Sequence, residues 1–150
     1  MPSADERAQA AAIAREVREL AESATKDIAT GVMDAAIAGT RVATGLTRGS
    51  WAASRGAPRA EGVGDRTASG VATARASQER SRSEIADYDL DDGKLFVSNP
   101  EGNAERLNDG IDAGFVQRAI RQGVAVGGAK AAVRAAAASL RRGPGRGRVK

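Results

Sequence analysis

No cysteine and no histidine occur among the 150 residues. That removes disulfides, thiolate nucleophiles, imidazole bases and the usual zinc ligands together. Rings are almost as scarce, since Trp51, Tyr88, Phe96 and Phe115 are the whole aromatic set. Leu, Ile, Val and Phe together supply only 25 residues. That falls below the roughly 20% at which a chain of this kind fills a core comfortably. Acids are missing from the whole stretch after Asp112.

What is present is alanine. It contributes 33 residues, more than half of the 41% that counts as hydrophobic. Alanine favours the helix but hides little apolar area when buried. The fold class expected is therefore all-α: two long Ala-rich helical regions joined by a flexible linker and a small hairpin-like element. Thin helix-on-helix packing, oligomerisation or folding on a partner would each answer the shortage of bulk.

Charge is segregated along the chain. Residues 1–30 hold six acids against four bases, and residues 31–84 hold eight bases against five acids. Residues 85–112 hold eight acids against two bases, while residues 113–150 hold nine bases and no acid. The net charge of +4 thus conceals an acidic block beside a strongly basic end. An acidic segment at 87–92 is expected to clasp the bases of 130–148 at low salt. The opening Met-Pro-Ser-Ala-Asp-Glu-Arg lacks the apolar core of a secretory signal. The expected location is cytoplasmic or inside a macromolecular assembly such as a virion.

Five segments follow from the pattern. The first, 1–55, is an amphipathic helical region that opens on Ser3 and Glu6, an S-x-x-E capping box. Ile13, Val17, Leu20, Ala24 and Ile28 recur at steps of three and four and predict a narrow apolar stripe. Arg15–Glu19, Arg18–Glu22 and Glu22–Lys26 are spaced as i,i+4 ion pairs on the other side. Beyond them Gly31, Ala35, Gly39 and Ala43 form a small-x-x-x-small ladder, which lets two helix backbones approach closely. Asp34, Arg41, Arg48 and Arg55 recur every seventh residue as a polar stripe. Helical character fades near Gly49 to Gly56, where Trp51 staples a helix end or marks a contact surface.

Residues 56–84 are rich in Gly, Ser, Ala, Thr and Arg and predict a flexible linker, with a weak helix over 68–82. Residues 85–102 predict an acidic hairpin-like element, with Asp92-Gly93 between two apolar runs as its turn. Residues 103–142 predict a basic helical region in which Gly123, Gly127, Ala131 and Ala135 repeat the four-residue ladder. A bend is expected at Gly127-Gly128. Residues 143–150 predict a tail of alternating Arg and Gly without structure of its own.

These features narrow function mainly by exclusion. Asp87, Asp89, Asp91 and Asp92 suggest oxygen ligands for a divalent cation, but Gly93 stands at the seventh place rather than the sixth and Ser98 replaces the closing Glu. No Walker, dinucleotide or nucleophile-elbow motif occurs. No enzyme activity, cofactor, metal or small-molecule substrate is expected. Residues 28–46 are apolar enough to raise a membrane span, yet Asp34 and Arg41 would each cost about 2.5–3.5 kcal/mol near the bilayer centre. The leading expectation is a structural or adaptor component of a multi-subunit assembly, of phage or mobile-element type, using its small-residue helix faces for a protein partner or for self-association.

The runner-up is accessory nucleic-acid binding. Arg118, Arg121, Lys130, Arg134, Arg141, Arg142, Arg146, Arg148 and Lys150 would contact phosphates in a salt-dependent way. The third reading is a membrane-surface helix over 113–142, bases flanking an Ala/Val face.

Overall fold

The computed structural model describes residues 1–40, 45–60, 70–101, 104 and 113–141. It is mostly helical, with a long helix at each end and a two-stranded sheet between them. Helix α1 spans Ala4–Gly39, α2 Gly45–Gly49, α3 Gly70–Ala86 and α4 Phe115–Arg141. Strands β1 and β2 cover Ala52–Arg55 and Leu95–Ser98.

The start of α1 follows from its capping box. Ser3 Oγ accepts from Glu6 N at 3.2 Å, and Glu6 Oε2 accepts from Ser3 N at 2.6 Å. Two orphan amides are satisfied reciprocally, and Asp5 and Glu6 face the positive end of the helix dipole. At 36 residues, the helix is about 54 Å long.

Its end is a correction to the sequence reading, which carries the helix toward residue 54. The helix stops at Gly39, and Thr40 takes extended backbone as the C-cap. The buried Thr40 hydroxyl donates back to Ala36 O at 2.7 Å, while the Arg48 guanidinium donates to Thr40 O at 2.7 and 3.2 Å. Trp51 is thereby carried back into the interior, where its Nε1–H donates to Thr40 Oγ1 at 2.7 Å. The seven-residue polar stripe consequently belongs to no single helix face: Asp34 accepts from Gln78, Arg48 caps Thr40, and Arg55 meets Glu84.

Helix α3 spans Gly70–Ala86, in the stretch where the sequence predicts a linker with a weak helix over 68–82, and runs on past Arg82. The hairpin expectation is corrected. Asp92-Gly93 does not close a local hairpin: Leu90–Asp92 is a single 3-10 turn capped by Asp89. Strand β2 instead pairs antiparallel with β1, Ala52 opposite Ser98 and Arg55 opposite Leu95. A partner 40 to 46 residues away supplies the ladder because β1 is held under α3, where Ala53 N donates to the buried Ser81 hydroxyl at 3.0 Å.

The interior is small. Met33, Ala35, Ala36, Ile37, Trp51, Phe115 and Ala119 form one cluster, with Val97 and Val116 against it. Trp51 and Phe115 meet edge to face, centroids 6.4 Å apart and planes at 84°, the arrangement ring quadrupoles prefer. Ala29, Ala53 and Ile85 form a second cluster backed by Leu95. Both lie where the C-terminal half of α1 meets the N-terminal half of α4, the sheet and α3. Three of the four aromatic residues, Trp51, Tyr88 and Phe115, are buried.

Candidate functional site

The dominant interface is the antiparallel pair α1 and α4. A Cβ on Gly31 would lie under 3.0 Å from Gly123 O, and one on Gly123 would lie equally close to the Val32 backbone. A Cβ on Gly127 would stand 2.5 Å from both Asp27 O and Ile28 Cα. The two helices touch backbone to backbone at these points, which only glycine permits. Helix α4 runs through Gly127 and Gly128 without interruption.

The sequence-predicted interface residues therefore divide. Gly31, Ala35, Gly123 and Gly127 are buried, and Ala24, Ile28 and Ala131 are half-buried, as is Leu20. Gly39 is exposed, and a Cβ there would reach only Phe115 Cδ2 at 3.9 Å, an ordinary contact. Ala135 is exposed. Ile13 and Val17, read as part of the same stripe, are 60% exposed each. Ala43 lies outside the described residues. Of the two uses open to the ladders, the structure has the intramolecular one at Gly31, Gly123 and Gly127.

Past this seam the hairpin continues outward with unmatched apolar side chains. Val133 is 71% exposed and Leu140 83%. Val126, Val133 and Leu140 recur every seventh residue along α4, and Val126 is exposed as well. Arg134 Nη1 contacts Ser23 Oγ and stands 3.1 Å from Asp27 Oδ2, tying the two helices just inside this outer region.

The predicted anion-binding residues also divide. Arg134 is engaged by α1, and the Arg118 guanidinium donates to Ala113 O at 2.9 Å. Arg121, Lys130 and Arg141 are exposed on α4. Arg142, Arg146, Arg148 and Lys150 lie outside the described residues.

Among the described residues the acidic segment pairs with Arg18 and Arg55; of the basic stretch expected to clasp it, 142–148 lie outside the described residues. Arg18 on α1 takes Asp89 at 2.8 Å and Asp91 at 2.5 Å, in place of its expected i,i+4 partner Glu22. Glu22 keeps Lys26 at 2.6 Å. Arg55 takes Glu84 and Asp92. The reason is positional: α3 lies along α1 and delivers the 3-10 turn that follows it to Arg18. The Asp89 carboxyl is held below its ordinary range, first by the Asp91 backbone N–H and then by Arg18. The two carboxylates hold the Arg18 guanidinium well above its ordinary value. Among the described residues, no three acidic side chains converge as a metal site, and no helix is long and apolar enough to cross a membrane.

A second concavity was not foreseen from the sequence. Ile37, Ala38, Arg48, Arg75, Gln78, Glu79 and Arg82 line a cavity of about 520 Å³ where the end of α1 meets α2 and α3. Arg75 and Arg82 stand seven residues apart on α3, but Arg48 comes from α2, so no local spacing reveals the group. No protein-family model, curated protein or solved structure matches this chain, and its own side chains carry the functional reading.

Proposed function

We propose that this chain is a non-enzymatic helical component of a multi-subunit assembly, and that it associates through the outer half of its helical hairpin. One observation carries the reading. Ile13 and Val17 of α1, and Val133 and Leu140 of α4, stand in solvent beyond the glycine seam. Apolar side chains grouped on a helical surface are a mark of an interaction face. The chain has few such residues, which makes their placement outside its core more telling. Gly31, Gly123 and Gly127 are not part of the proposed face, because the hairpin itself buries them.

Charge favours a second copy of the chain as the occupant. Between Ala4 and Ala24, α1 carries five acids and three bases; between Gly128 and Arg141, α4 carries three bases and no acid. Two protomers related by a two-fold axis would set the acidic arm of one against the basic arm of the other. The apolar positions supply the burial, and the charges fix the orientation.

Light scattering on the full chain, with and without 0.5 M salt (about three times physiological ionic strength), tests this. A concentration-dependent dimer is expected, reduced to monomer in Val133→Ser/Leu140→Ser with unchanged helix content. A wild-type chain that stays monomeric at every accessible concentration would sink the reading. Exposed Arg121, Lys130 and Arg141 support a second reading, accessory nucleic-acid binding. It predicts a steep negative slope of log affinity against log salt, unaffected by the Val133 and Leu140 substitutions.

A further inference from the structure

We propose that the cavity between α1, α2 and α3 is an anion site, suited to the diphosphate group of a small molecule. It shares no residue with the outer hairpin face, and the two readings stand or fall separately.

Three guanidinium groups, of Arg48, Arg75 and Arg82, line the cavity, with Glu79 as its one acid. Glu79 is spoken for, since Arg75 Nε donates to it at 3.0 Å. Arg82 and Arg48 have no carboxylate within ion-pair distance among the described residues. The cavity therefore carries about two uncompensated positive charges.

Arg48 is the positioned member. Its Nε and one Nη2 proton point at Thr40 O, at 3.2 and 2.7 Å. Anchoring one edge of a guanidinium leaves the planar fork of the other edge free, in a fixed orientation. Thr40 is in turn locked by Trp51 and Ala36. An arginine held this way loses little side-chain freedom on binding, which favours a bidentate contact with phosphoryl oxygens. Gln78 is likewise oriented, donating through Nε2 to Asp34 at 3.3 Å.

Size and lining select the ligand class. A volume near 520 Å³ falls within the range of small-molecule pockets, roughly 300–1,000 Å³. Ile37 and Ala38 add an apolar wall beside the bases. A single phosphate would leave charge unmatched, whereas a diphosphate offers enough oxygens for Arg48 and Arg82 together.

The test is calorimetric titration of the full chain at low salt with inorganic pyrophosphate and, separately, with ADP. Binding stronger than about 1 mM is expected, at one site per chain. Arg82→Gln changes an exposed side chain and should weaken it at least about tenfold, with helix content intact by circular dichroism. Lys130→Gln/Arg141→Gln removes like charge from α4 and should leave it unchanged. Comparable affinity for both ligands identifies the diphosphate alone as what is recognised; clearly tighter ADP binding that is lost in Arg82→Gln identifies a nucleotide as its carrier. No binding, equal weakening in the α4 variant, or a preference for single-stranded nucleic acid over both small ligands would overturn the proposal.

Discussion

The indole of Trp51 donates to the buried hydroxyl of Thr40 at 2.7 Å, joining the strand side of the core to the C-cap of α1. This bond fastens the C-cap of α1 into the core. A buried donor left without its acceptor costs about 1–3 kcal/mol. Trp51→Phe and Thr40→Val should each destabilise by about that amount or more in urea unfolding. The double variant should cost less than the two singles together, by at least about 0.5 kcal/mol. Strict additivity would mean that the bond is not what couples them.

The glycine seam predicts opposite signs for glycines inside and outside the backbone contact. Gly128→Ala meets nothing within 4 Å, so alanine's helix propensity should stabilise by up to about 1 kcal/mol. Gly123→Ala and Gly31→Ala meet backbone rather than a yielding side chain. Overpacking should outweigh propensity there and destabilise by about 1–3 kcal/mol. Thermal unfolding of the three variants checks the contrast. Gly39→Ala belongs with the tolerated set, since Phe115 Cδ2 stands at an ordinary 3.9 Å.

Asp27 and Arg134 link the two arms of the hairpin across 107 positions of sequence. The Arg134 side chain is 54% exposed, while Asp27 is 16%. Solvent screening at the arginine therefore limits the pair to about 0.5–1 kcal/mol. Arg134→Gln should lower stability within that range and should lose most of its effect when Asp27→Asn is also present.

The clasp of Arg18 on Asp89 and Asp91 predicts a pH response. The Asp89 pKa is depressed in the folded chain, so the stability it contributes is present above the ordinary carboxylate value of about 3.9. It is lost as pH falls through the depressed value. Carbon NMR titration should place Asp89 below ordinary aspartates, and Arg18→Gln should move it part of the way back. The Asp91 backbone N–H accounts for the remainder. An Asp89 midpoint in the ordinary range would mean that the clasp does not persist in solution.

Local features were legible in the sequence where they depend on local physics. The capping box at Ser3 and Glu6, the Glu22–Lys26 pair and the helical character of 115–141 follow from spacing and propensity alone. Spacing also marked Gly31, Gly123 and Gly127 as places where backbones can meet, because a missing Cβ is visible in the residue itself. Whether they meet within one chain is a matter of tertiary geometry. The cavity was not legible: Arg75 and Arg82 stand seven apart on α3, but Arg48 and the end of α1 join them only in space.

The sequence by itself determined that this would be a helical chain with little bulk to bury, because alanine sets both propensity and side-chain volume. It also determined which helical positions allow backbone contact. Only the tertiary structure decided that α1 stops at Gly39, that Leu95–Ser98 pairs with Ala52–Arg55, and that Arg18 meets Asp89 and Asp91. Those outcomes depend on long-range partners: Thr40 with Trp51, Ala53 with Ser81, Gly31 with Gly123. A partner's distance in space is not encoded in any local pattern of residues.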